Sequence, residues 1–128
     1  MARVKSKDTA PERIVRQITF GLGFRYRLHG AKLPGKPDLV FASRRKVIFV
    51  HGCFWHRHKG CKLARLPKSR LSFWKPKLEG NKKRDAGNLG ELRQLDWKVL
   101  LIWECQLRDT ARVTAVIKRF LGSGDGAR

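Results

Sequence analysis

The amino-acid sequence predicts a single-domain, mixed α/β layer fold, and three observations carry that prediction. Its 128 residues amount to about one domain. A hydrophobic content of 41%, with four Trp and seven Phe, is enough for a packed core and excludes a disordered basic tail. The hydrophobic periods, read along the chain, alternate between helical and extended in the order α-β-β-β-irregular-α-β-α, the pattern of a layered sheet.

Thr9-Ala-Pro-Glu12 is a helix start. Thr9 can cap, Pro11 sits in the first turn where its missing N–H is harmless, and Glu12 completes a capping box. Ile14, Val15, Ile18 and Leu22 recur at helical spacing, and Gly21 and Gly23 end the run. Residues 24–28 alternate apolar and polar, which predicts a half-buried strand. A turn at Leu33-Pro-Gly-Lys-Pro37 leads into a short strand over 38–41. A second turn at Ser43-Arg-Arg45 precedes a continuous apolar strand over 46–50, expected at the centre of the sheet. No period is visible over 51–70, where Cys, His and basic residues crowd together, so that stretch needs another constraint such as a metal. A helix is predicted over 73–95 with Leu89, Leu92 and Leu95 as its buried stripe, weakened by Gly80, Gly87 and Gly90. Residues 97–103 form another apolar strand, and 110–121 a closing amphipathic helix on Val113, Val116, Ile117, Phe120 and Leu121. The domain is read as spanning 1–128, with 122–128 frayed.

Thirty Lys plus Arg against ten Asp plus Glu give a net charge of +20. A compact fold tolerates such self-repulsion when its partner is a polyanion, which points to nucleic acid. No apolar run reaches the roughly 18 residues of a membrane span, and no signal-peptide pattern opens the chain. The three Cys are odd in number and lie near His, which argues against a secreted disulfide framework and for the cytosol.

Between Arg13 and Leu78 stand seventeen Lys or Arg and one carboxylate, Asp38. An acid isolated in such a field attracts a divalent cation together with phosphate oxygens, although Asp beside Pro is also a common turn cap. The block His51-Gly-Cys-Phe-Trp-His56-Arg-His58-Lys-Gly-Cys61 is more specific. Cys53, His58 and Cys61 suit a loop wrapped around tetrahedral zinc, with Cys105 as fourth ligand tying the loop to the sheet. Such a closed site staples the fold and leaves His51 and His56 for proton transfer or for charge on a phosphate; spacing also allows one of them to replace a zinc ligand. Phe54 and Trp55, with Arg57 and Lys59 beside them, are suited to wedge between base pairs, and Trp74 is suited on the same logic. Lys68, Arg70, Lys82, Lys83 and Arg84 are expected phosphate contacts; runs of this kind also occur as solvated faces.

The motifs Leu33-Pro-Gly-Lys-Pro-Asp38, Phe49-Val-His-Gly-Cys-Phe-Trp-His56, Phe73-Trp74 and Trp97-Lys-Val-Leu-Leu-Ile-Trp-Glu-Cys105 together resemble the very short patch repair DNA mismatch endonucleases. The resemblance implies a restriction-endonuclease-like, PD-(D/E)XK-type three-layer fold, with a central mixed sheet flanked by helices and a zinc-stapled loop. It implies a cytosolic, monomeric enzyme that uses Mg²⁺ to nick one strand of duplex DNA 5′ to the T of a T:G mismatch and hands the nick to downstream repair proteins. It makes Asp38 a magnesium ligand together with the backbone carbonyl of Val50, where the family usually has Thr. His56 becomes the general base, oriented by Asp85, with His51 assisting at the phosphate and Glu12 near the metal. Cys53, His58, Cys61 and Cys105 match the zinc ligands, with one extra residue before Cys61. Phe54, Trp55 and Trp74 match intercalating aromatics, and Met1 the place of a further inserting residue. Residues 1–7 correspond to the end of an N-terminal arm that in the family grips DNA near the mismatch. Two further readings are a nuclease of this fold with relaxed specificity, and a zinc-stapled DNA-binding module without catalysis.

Overall fold

A computed structural model describes residues 10–28, 30, 32–53 and 70–122. The first helix, α1 (Ala10–Gly21), turns Val15 and Thr19 inward on the face that the apolar spacing predicts, and Glu12 with them. It ends in a Schellman motif: the Gly23 N–H donates to the Phe20 carbonyl at 2.9 Å and the Phe24 N–H to the Thr19 carbonyl at 3.3 Å. Gly23 takes the left-handed φ of +93° that this cap requires.

The strands are β1 (Arg27–Leu28), β2 (Leu39–Phe41), β3 (Lys46–His51) and β4 (Lys98–Trp103), and they lie side by side in that order. β1, β2 and β3 pair antiparallel, whereas β4 runs parallel to β3. A parallel neighbour needs a crossover, and helix α2 (Leu71–Gln94) lies within it. The alternating stretch 24–28 forms a ladder only over Arg27 and Leu28, because β2 opposite it is three residues long. Phe24 and Tyr26 pack on the core ahead of that ladder. A short 3-10 helix, Ala42–Arg44, makes the β2–β3 turn, closed by Arg45 in the left-handed region.

Strand alternation divides the core into two layers. Leu39, Phe41, Ile48, Val50 and Ile102 meet Val15 of α1 and Val113, Ile117 and Leu121 of α3 (Thr110–Gly122) on one face. Val40, Val47 and Phe49 meet Leu92 of α2 on the other, with Leu89 and Trp97 at the margin. The sheet is therefore covered by helices on both faces, as the resemblance implies. Val116 lies off the α3 core face, 36% exposed.

α2 is continuous despite Gly80, Gly87, Gly90 and an internal Pro76. Burial of Leu78 and Leu92 outweighs the weak local propensity. It too ends in a Schellman motif, with Asp96 at φ +67° and the Trp97 N–H donating to the Leu92 carbonyl at 3.0 Å. Leu95 falls just past the helix and is 50% exposed, so the buried stripe runs through Leu78, Leu89 and Leu92 instead.

Cations close the helix ends. Lys46, 2% exposed, donates from Nζ to the Phe120 carbonyl at 2.6 Å. Arg44 donates to the Leu121 carbonyl at 2.9 Å, and Arg45 to the Leu95 carbonyl while stacking on the Trp97 ring. Positive charge at the negative pole of a helix is favourable. Among the described residues no helix is long and apolar enough to cross a membrane.

Candidate active site

Asp38 stands one residue before the β2 ladder, where Leu39 pairs with Ile48. Its Oδ2 accepts a hydrogen bond from the Val50 N–H at 2.6 Å. That charge-assisted bond orients the carboxylate against the end of β3. Within a strand the N–H and C=O of one residue leave on the same side, so the Val50 carbonyl is on the Asp38 side of β3 as well.

Alternation places the Asp38 and His51 side chains on the same face of the sheet, the one shared by Val40 and Phe49. Continued by one residue, the β2–β3 register sets Asp38 opposite Phe49, two residues before His51. Diagonal neighbours of this kind lie roughly 7–8 Å apart. His51 is 4% exposed and is held edge-on between Phe49, at 5.5 Å between ring centroids, and Trp103, at 5.1 Å. A buried imidazole clamped by two aromatics has little freedom to turn.

α2 covers this face. Asp85 lies seven residues from each of the buried Leu78 and Leu92, hence on the same sheet-facing side of the helix, and is half-buried. One turn on, Asn88 meets the turn that carries Asp38. A Cβ added at Gly35 would lie 3.0 Å from the Asn88 Cβ and 3.2 Å from the Phe49 ring, and Gly35 has φ +76°. Glycine is needed there both for the backbone and for the close approach. Glu12 is buried on α1, which packs on the opposite face of the sheet.

Cys53 is fully buried just past β3, and its N–H donates to Oε1 of Glu104 at 3.2 Å. Glu104 opens the 3-10 helix Glu104–Arg108 that follows β4, and half-buried Cys105 is its neighbour. Because His51 pairs with Trp103, the two strands deliver Cys53 and Cys105 at the same end of the sheet. Two soft donors in the expected places fit a tetrahedral zinc site. Among the described residues no group of three His, Cys, Asp or Glu could hold a metal. His56, His58 and Cys61 lie outside the described residues, as do Met1, Phe54, Trp55, Arg57, Lys59 and Lys68.

At the start of α2, half-buried Trp74 packs edge-on against Phe73 at 5.1 Å, and Arg70 lies over the Phe73 ring at 4.6 Å. Phe73 is the more exposed of the pair at 46% and was given no separate role by the sequence. Lys82, Lys83 and Arg84 are exposed along the same helix, and Arg84 donates to the Asn81 side chain at 3.0 Å. Glu104 is a carboxylate beside a candidate thiol ligand at a strand end. A cleft of about 570 Å³ opens beside α3, lined by Cys105, Arg108, Arg112 and Val113, and neither Asp38 nor His51 lines it.

The family model described as DNA mismatch endonuclease Vsr matches residues 1–63. The type II nicking enzyme V.XorIIP of Xanthomonas oryzae pv. oryzae is 48% identical over 121 residues, 94% of this chain and 88% of its own. The type II nicking enzyme V.NmeAIP of Neisseria meningitidis is 42% identical over 111 residues, 87% of this chain and 79% of its own. The DNA mismatch endonuclease Vsr of Escherichia coli is 41% identical over 114 residues, 89% of this chain and 72% of its own.

Proposed function

The chain belongs to the Vsr family of DNA endonucleases, and from that membership we propose that it nicks one strand of duplex DNA 5′ to the T of a T:G mismatch, using Mg²⁺. The observation that carries the reading is the Asp38 carboxylate, oriented by the Val50 N–H on the face it shares with His51.

Asp38 and the Val50 carbonyl offer hard oxygen donors of the kind Mg²⁺ takes from protein and would hold the ion. Bound there, the ion supplies charge stabilisation for the pentavalent transition state and the leaving oxygen. The chain's own residues do the rest. Asp38 holds its charge at the scissile phosphate, and His51, buried and clamped, donates toward a phosphate oxygen. His56 takes the proton of the attacking water with Asp85 orienting it, a contribution of roughly 10²–10⁴-fold. Glu12 adds negative charge near the metal from the α1 side. Cys53 and Cys105, with His58 and Cys61, would hold a structural zinc that supplies stability and no chemistry. Phe54, Trp55, Trp74 and Met1 separate the bases beside the mismatch. Lys68, Arg70, Lys82, Lys83, Arg84, Arg57 and Lys59 contact phosphates.

The proposed setting is a restriction-endonuclease-like fold acting as a cytoplasmic monomer in very short patch repair. Support comes from the mixed sheet with helices on both faces. The test is strand-resolved cleavage of end-labelled T:G, other mismatched and fully paired duplexes with Mg²⁺, with EDTA as control. One nick, 5′ to the mismatched T and abolished by EDTA, is the expected product. Equal nicking of paired duplex would overturn the mismatch specificity, and undiminished nicking in EDTA would overturn the metal.

A further inference from the structure

We infer that Glu104 is a positioning residue of this endonuclease: its carboxylate pins the backbone at Cys53, just past β3. The inference rests on the zinc reading above. β3 and β4 end level with each other, His51 beside Trp103, and past that pair the parallel ladder supplies no further register. There a side chain takes over. The N–H of fully buried Cys53 donates to Glu104 Oε1 at 3.2 Å, linking segments 51 residues apart in the chain. Glu104 is itself held, because the Gln106 side chain accepts the Trp103 N–H at 2.6 Å and closes the 3-10 turn on which Glu104 stands.

The bond does two things. It pairs a main-chain donor that burial cuts off from water, and it brings the thiol of Cys53 to the strand end that presents Cys105. Groups outside the ligand set commonly set ligand orientation in this way.

The experiment compares Glu104→Ala, Glu104→Asp and Glu104→Gln in the full chain. Two readouts are amide hydrogen exchange at Cys53 and the rate at which a chelator strips zinc. With Ala the Cys53 amide should exchange about ten- to a hundredfold faster, the worth of one charge-assisted bond, and zinc should leave faster. Asp, one methylene too short, should loosen both while disturbing the fold less. Gln keeps the acceptor oxygen and should restore most of both. Unchanged Cys53 exchange and zinc release in the Ala and Asp variants would overturn the assignment, and so would a Gln variant as impaired as Ala. Wild-type protein that holds no zinc would overturn the metal reading instead, and the exchange measurement would still decide what Glu104 does.

Discussion

Replacing Asp38 in two ways separates its charge from its hydrogen bond. Asp38→Asn can keep an amide oxygen opposite the Val50 N–H, which now approaches Oδ2 at 2.6 Å, but it removes the negative charge. Asp38→Ala removes both and strands the N–H of a residue only 7% exposed. A hydrogen bond to a charged group contributes about 1.5–3 kcal/mol, and a stranded buried donor costs a similar amount. For a chain of this length that is on the order of 5–10 °C in melting temperature. Thermal unfolding should therefore rank wild type, then Asn, then Ala. Nicking should not follow that ranking. Loss of several kcal/mol of transition-state charge stabilisation lowers the rate by at least about 10³-fold in both variants. The assay is single-turnover nicking of a labelled T:G duplex, with binding followed by fluorescence anisotropy. An Asn variant nicking within tenfold of wild type would refute the role of the charge. An Ala variant as stable as wild type would refute the structural role of the bond.

Other substitutions probe features away from Asp38. Lys46→Met keeps the buried stem but loses the bond from Nζ to the Phe120 carbonyl; it should cost about 1.5–3 kcal/mol in urea unfolding and leave DNA affinity unchanged, because Lys46 faces inward. Gly87→Ala, at an exposed helical position with open space around an added Cβ, should stabilise the protein by roughly 0.5–1 kcal/mol in the same assay. Replacing exposed Lys82, Lys83 and Arg84 together by Ala should flatten the dependence of log affinity on log salt by about 0.9 for each phosphate no longer neutralised. An unchanged salt slope would mean that this run is solvated and does not touch DNA.

Much of the fold is legible in the sequence because it is written in local periods. α1 and α3 follow from apolar spacing, and β3 from an unbroken apolar run that is buried at every residue. Pairing is less legible: the alternation over 24–28 is real, yet only Arg27 and Leu28 find partners, since a ladder is limited by its shorter strand. Leu95 has the right spacing for the stripe, but the chain turns left-handed at Asp96 and leaves it outside. In the site, Asp38 can be singled out as a solitary acid, and its sharing a face with His51 follows from counting strand alternation. Bonds that join remote segments leave no local trace. Arg44, Lys46 and Glu104 each meet a backbone group 51 to 77 residues away, and a run such as Arg44-Arg45-Lys46 reads as surface charge until the helix ends it serves are in place.

The parallel pairing of β3 with β4 also sets an order of events during synthesis. Lys46 waits for Lys98, about fifty residues later, before that ladder can begin. Closing so long a loop is slow, and until it closes the β4-side edge of an apolar strand stands open. A ribosome that has delivered β1 to β3 has therefore released an unzipped hairpin layer whose second half is still being translated. Chains interrupted ahead of β4 should end in aggregates or proteolysis, so the strand that completes the sheet also gates when a DNA-cutting enzyme first exists in the cell.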